Sequence, residues 1–172
     1  MKIVNITTFR KFLLGNKHNI AAIDMGTSNC GFAIADETKM SVVPGGTIER
    51  GSPRMNEDVL QQFGLKIQKF VADNKIAGFV IGLPLTPTGE ITPFCEEIIQ
   101  IAETVQCSCN GFANITSPVN PNNEVLCTFW DERYSTAGAK AISSKFSRRR
   151  SVMLKNKDTL AACLILKSFI NQ

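Results

Sequence analysis

The chain has 172 residues, 44% of them hydrophobic, and a formal net charge of +4; that size and apolar content fit one domain over residues 1–172 and leave a second full domain cramped. Met1 to Leu14 intersperses Lys2, Asn5, Arg10 and Lys11 among apolar residues, so neither a secretion signal nor a membrane span is expected there. The six cysteines form no Cys-x-x-Cys pair and only one histidine, His18, accompanies them, which argues against a zinc centre and for a reducing, cytoplasmic setting.

Residues 1–19 read as an N-terminal extension. Ile20 to Ile23 and Gly31 to Ala35 predict two strands joined by the turn-rich stretch Met25 to Cys30, short enough for a hairpin. Val42 to Ile48 continues as a third strand, and its Pro44-Gly45-Gly46 marks an edge position or a bulge. Beyond Asn56, Val59, Leu60, Phe63, Ile67, Phe70 and Val71 recur at helical spacing, with Glu57 and Asp58 near the positive end of the dipole. Gly78 to Leu85 is an unbroken apolar run that suits a strand covered on both faces. Thr92 is placed to cap a helix that starts at Pro93 and carries the stripe Phe94, Ile98, Ile101, Ala102 and Val105. The polar segment 107–123, with Pro118 and Pro121, predicts a long exposed loop. A strand from Val125 to Trp130, a helix beginning near Ser135 and a helix from Thr159 to Ile170 complete the chain.

Three strands followed by helix, strand, helix, strand and two helices indicate an α/β domain. Its sheet is expected to be mixed and five-stranded, three antiparallel strands then two parallel ones, flanked by helices. This is the order of the ribonuclease H-like fold.

The chemistry concentrates at the ends of elements. Asp131-Glu132-Arg133 follows a strand, Asp24 ends the first strand, and Asp158 sits at the start of the last helix. Carboxylates from separate elements are what hard cations such as Mg²⁺ or Mn²⁺ require, so Asp24, Asp131, Glu132 and Asp158 are the candidate catalytic and metal-binding residues. Side chains alternate faces along a strand, so only one of Asp131 and Glu132 is expected to touch metal, the other bonding to Arg133 or to supporting groups. The alternation alone does not say which. Asp158 is equally suited to be a ligand or the helix N-cap, and Arg133 either to an ion pair or to a phosphate clamp.

Charge is also segregated. From Arg133 to Lys157 there are eight basic residues and no acid, whereas the rest of the chain holds 11 basic and 15 acidic residues. Such a strip is the footprint of a phosphate-backbone partner. Arg133, Lys145, Arg148, Arg149, Arg150, Lys155 and Lys157 are the basic candidates for nucleic-acid contact, joined by Thr27, Ser135 and Thr136; a solvated surface strip, and helix caps at Ser135 and Thr136, are the plainer alternatives.

Four motifs in register carry a resemblance. Ile23-Asp24-Met25-Gly26-Thr27 with Gly31 and Ala33, Ile81-Gly82-Leu83-Pro84-Leu85 with Gly89, Asp131-Glu132-Arg133 with Ser135-Thr136 and Ala139, and Lys157-Asp158 with Ala161-Ala162 and Ile165-Leu166 together resemble the YqgF/RuvX family. That family is described as Holliday-junction-resolvase-like and as nucleases of the ribosomal RNA precursor. The resemblance implies a divalent-metal-dependent nuclease of structured nucleic acid, most directly of precursor 16S ribosomal RNA in ribosome biogenesis, and it tips Asp158 toward the ligand role. Two departures stand out: Ser28-Asn29-Cys30 lies where the family usually carries basic residues, and the 107–123 loop is longer than usual. Alternatives are a DNA junction resolvase, which would need a dimer to cut symmetrically, and a non-catalytic nucleic-acid-binding module. Asp24-x-Gly26-Thr27 also resembles a sugar-kinase-type phosphate loop, but that superfamily needs two such domains. Monomer and dimer both remain open.

Overall fold

The computed structural model describes residues 2–15, 18–50, 57–110, 125–133 and 157–172. Its strands are β1 (Lys2–Ile3), β2 (Asn19–Met25), β3 (Asn29–Ala35), β4 (Val42–Glu49), β5 (Ile76–Leu83) and β6 (Leu126–Asp131), in one sheet of order β1-β6-β5-β2-β3-β4. The described helices are α1 (Ile6–Leu14), α2 (Glu57–Asn74), α3 (Pro93–Asn110) and α4 (Lys157–Ile170). β2, β3 and β4 form the expected antiparallel meander, and β5 and β6 run parallel to β2.

The sheet has six strands where the sequence predicts five. The sixth, β1, is two residues long and pairs in parallel with β6, Lys2 N donating to Val125 O at 2.7 Å and Val4 N to Cys127 O at 2.8 Å. A two-residue strand shows no alternation for a sequence reading to detect. The extension also holds α1, capped by Asn5, whose Oδ1 accepts from Thr8 N at 2.8 Å. α1 drives Phe9 beneath the sheet, where a Cβ on Gly78 would lie 2.7 Å from its ring. The predicted exposed loop at 107–123 is corrected at its start, because α3 continues through Asn110; residues 111–124 and the helix expected near Ser135 lie outside the described residues.

Alternation divides the core between the two faces of the sheet. Ile23, Phe32, Phe79, Ile81 and Cys127 face α2 and α3, meeting Phe63, Ile67, Phe70, Ile98 and Ile101. Ile20, Ala22, Ala33, Val80 and Trp130 face α1 and α4, meeting Phe9, Ala162, Ile165, Leu166 and Phe169. Coverage on both sides is why β2 and β5 read as continuous apolar runs. Burying a residue such as Phe79 or Leu166 contributes about 1.5–3 kcal/mol each, so this core fixes the strand ends from which the polar residues project. Thr92 Oγ1 accepts from Cys95 N at 3.1 Å, as its capping role requires. Cys30, Cys95, Cys127 and Cys163 are buried free thiols, small apolar fillers of the core. Among the described residues no helix is long and apolar enough to cross a membrane.

Candidate active site

Asp24 stands at the end of β2, one position before the strand's last residue. Alternation with Ile20 and Ala22 points it to the α4 face. Its antiparallel partner is Gly31, and there the missing side chain matters. A Cβ on Gly31 would overlap the Asp158 backbone and come within 2.5 Å of Thr159 N. The first turn of α4 therefore rests directly on β3 and brings the Asp158 carboxylate near Asp24. Thr159 secures this approach, its Oγ1 donating to Gly46 O on β4 at 3.0 Å.

Glu132 reaches the same place from β6. Leu83 pairs with Asp131, and Glu132 N donates to Leu83 O at 3.1 Å, which continues the sheet one step past the strand. On β5 the neighbouring position is Gly82, where a Cβ would overlap the Glu132 carboxylate and lie 2.6 Å from Ile165 Cδ1. Two glycines on the α4 face thus make the room that Asp158 and Glu132 occupy. Gly26 has a different role: its Cβ would come within 2.7 Å of Asn29 O, and its N–H donates to that oxygen at 3.0 Å, so the β2–β3 turn itself uses the space.

Asp131 points the other way. Arg133 holds it, Nε donating to Oδ2 at 2.9 Å and Nη2 to Oδ2 at 2.6 Å, while the Arg133 backbone N–H donates to Oδ1 at 2.9 Å. Arg133 Nη1 also donates to Pro87 O at 3.0 Å, and a Cβ on Gly89 would meet the guanidinium at 3.0 Å. The pair therefore clasps the β5–α3 connection to the end of β6. Of the two adjacent acids, Glu132 is the one brought to Asp24.

The electrostatics follow the geometry. Burial, then the Asp158 carboxylate, pushes Asp24 up to about 6, with Lys157 opposing the rise. Burial, then Asp24, then Asp131, pushes Glu132 up to about 7. Burial and repulsion from neighbouring carboxylates therefore raise both Asp24 and Glu132 above the ordinary carboxylate range. Asp131 moves in the opposite direction, held below its ordinary value chiefly by the hydrogen bond from Arg133. Two half-buried acids raised by burial and by neighbouring carboxylates, Asp24 and Glu132, are the pattern expected of a functional site.

The donors suit a hard divalent cation: all are carboxylate oxygens from separate elements, and a cation would offset the burial and repulsion that raise Asp24 and Glu132. Among the described residues no three acidic, histidine or cysteine side chains come together closely enough to hold a metal ion; Asp24 interacts with Asp158 and with Glu132 in separate pairs. α4 starts at Lys157, so Asp158 lies inside its first turn and not at the cap. Thr27 is exposed in the β2–β3 turn and Lys157 is exposed at the start of α4. Ser135, Thr136, Lys145, Arg148, Arg149, Arg150 and Lys155 lie outside the described residues.

The sequence reading missed Arg50 and Glu97. Arg50 is buried at 2% exposure just past β4, pairs with Glu97 of α3, and donates from Nη1 to Gly26 O at 3.0 Å. Nothing in the local pattern Glu49-Arg50 distinguishes it from a solvated pair at a strand end.

The chain is similar to known proteins over most of its length. Residues 18–172 match the family model described as "RuvX: Holliday junction resolvase". The chain belongs to the RuvX family. Among its curated RuvX relatives, proteins named "Putative pre-16S rRNA nuclease" from Rhodobacter capsulatus and Ruegeria pomeroyi are 30% and 31% identical to it. The first alignment covers 89% of this chain and 83% of the relative, the second 89% and 86%. The solved structure of T. thermophilus RuvC in complex with Holliday junction substrate superposes with a TM-score of 0.54 at 11% identity, covering 90% of this chain and 94% of that one. That likeness places the RuvX chain in the ribonuclease H-like fold of the resolvases.

Proposed function

We propose that this chain is a cytoplasmic nuclease that hydrolyses phosphodiester bonds of precursor 16S ribosomal RNA with Mg²⁺ or Mn²⁺ as cofactor. The observation that carries the reading is the placement of Asp24 and Glu132 on one sheet face, under the Asp158 turn of α4, with both acids raised toward neutrality. The names of the curated relatives support the choice of substrate.

Asp24, Glu132 and Asp158 would hold the cations. When bound, two such ions supply activation of water and stabilisation of the leaving oxygen. Asp24 is the shared residue, since it interacts with Asp158 on one side and Glu132 on the other. Because Glu132 is raised to about 7, it would hold its proton more readily than an ordinary carboxylate, and cation affinity there would be linked to pH. Asp131 is a support: bound to Arg133, it keeps the β5–α3 connection closed against the rim. Thr27 and the basic residues from Lys145 to Lys157 would follow the phosphate backbone and set register without reading sequence.

The test is to incubate the purified protein and an Asp24→Asn variant, each with Mg²⁺ or Mn²⁺, with a precursor 16S ribosomal RNA fragment or a four-way DNA junction. The RNA fragment should be cut by the wild type and left intact by the variant. Cleavage of the junction alone would make the chain a resolvase, and cation-independent binding without cleavage of either would make it a binding module.

A further inference from the structure

Arg50 is the least accommodated charge among the described residues. Its side chain is 1% exposed, and its Nε has no hydrogen-bond partner among them. Isolated burial of a guanidinium is strongly unfavourable, so each contact it does make bears on why it is there. Nη2 pairs with the Glu97 carboxylate of α3, and the guanidinium lies 6.0 Å from the centre of the Phe94 ring. Nη1 donates to Gly26 O at 3.0 Å, and the Arg50 backbone N–H donates to Ser28 O at 2.9 Å.

Two of these contacts end on one short segment. Gly26, Thr27 and Ser28 form the β2–β3 turn that begins two residues after Asp24. Within the turn, one backbone bond from Gly26 N to Asn29 O closes the hairpin. The backbone N–H at position 50 ties the Ser28 end of the turn, while the Arg50 guanidinium ties the Gly26 end and anchors it to α3 through Glu97, an element on the opposite face of the sheet from α4. We infer that Arg50, held by Glu97, is a positioning residue: it fixes the Gly26–Ser28 turn so that Asp24 and Thr27 are presented to the phosphodiester. This rests on the nuclease reading for the role of Asp24, but the tethering can be judged without it.

Arginine is suited to the task because one planar fork serves two acceptors in fixed directions, which an ammonium cannot do. Misplacement of a reacting group by about 1 Å costs on the order of a hundredfold in rate, so even partial loosening of the turn is measurable. Arg50→Met is the informative variant. It fills a similar volume, leaves Glu97 free to turn to solvent, and replaces a buried charge by an apolar side chain, a change that is often neutral or stabilising. Arg50→Lys keeps the charge and can serve only one acceptor at a time. Should Arg50→Met fail to fold, Glu97→Gln removes the anchor from the other side.

In hydrogen exchange, Arg50→Met should speed the amides of residues 26–29 about tenfold or more while those of β5 stay protected. On the precursor RNA fragment its kcat should fall about tenfold or more with KM within about threefold, and Arg50→Lys should recover part of the loss. Unchanged exchange in the turn would overturn the inference, and so would faster exchange with kcat within about twofold of wild type. If the wild type cuts neither RNA nor junction, the nuclease reading fails, and the tethering stands or falls on hydrogen exchange alone.

Discussion

Glu132 should destabilise the protein at alkaline pH in the absence of divalent cations, and its removal should relieve that cost. Its pKa lies at about 7 against an ordinary value of 4.5, with burial the first cause and Asp24 the second. At about 1.36 kcal/mol per pKa unit the full difference is roughly 3 kcal/mol, and solvent screening of a half-buried carboxylate reduces it to about 2 kcal/mol. The sign follows from proton counting. The folded state holds a proton that the unfolded chain has lost between pH 4.5 and about 7, so stability falls as pH rises through that window and the cost is complete above it. In EDTA at pH 8, Glu132→Gln should therefore melt above wild type by roughly 4–8 °C, given about 2–4 °C per kcal/mol for a domain of this size. At pH 4.5 the two melting temperatures should nearly coincide. Saturating Mn²⁺ should reverse the order at pH 8, because binding at a hundred times Kd contributes about 2.7 kcal/mol to the wild type. A pH-independent difference between the proteins, or a wild type that is the more stable in EDTA at pH 8, would refute the burial of Glu132 beside Asp24.

Asp24→Asn should abolish both RNA cleavage and the rise in melting temperature that millimolar Mn²⁺ gives the wild type; a retained rise would show that the cation binds elsewhere. Gly31→Ala should cost about 1–3 kcal/mol by forcing α4 off β3, and because Asp158 retreats with the helix it should also weaken the Mn²⁺-induced shift, both read from thermal melts. Replacing Arg148, Arg149 and Arg150 together with alanine should weaken RNA binding and flatten the slope of log affinity against log salt by roughly 0.7–0.9 for each phosphate that the strip no longer neutralises. The same variant should keep kcat within about tenfold of wild type; an unchanged salt slope would make the strip an ordinary solvated surface.

The parts of the fold legible in the sequence are those with long periodic signals. The alternating and continuous runs of β2, β3, β5 and β6 and the stripes of α2 and α3 all lie close to where the sequence predicts them, and Pro44-Gly45-Gly46 does mark both an edge and a bulge. β1 and α1 escape such a reading because a two-residue strand has no period and α1 is a single nine-residue helix with one fully buried side chain, Phe9. For the site, alternation limits Asp131 and Glu132 to opposite faces but cannot choose between them. The choice depends on Gly82, remote from both acids in sequence yet adjacent to them in the sheet, where the absent side chain admits the Glu132 carboxylate. Arg50 is illegible for a related reason: its partners Gly26 and Glu97 come from separate elements, and only the assembled sheet and helix bring them together.

The outer strand of the meander has a consequence for how the protein can associate. β4 pairs with β3 on one side and lies at the edge of the sheet. Ala33 pairs with Pro44 and Phe32 with Gly46, so Gly45 is looped out of the ladder. Proline has no N–H to offer and a looped-out residue breaks the spacing of its neighbours, so the free side of β4 is a poor template for an incoming strand. Val43, half exposed beside this break, is thereby kept from seeding edge-to-edge aggregation.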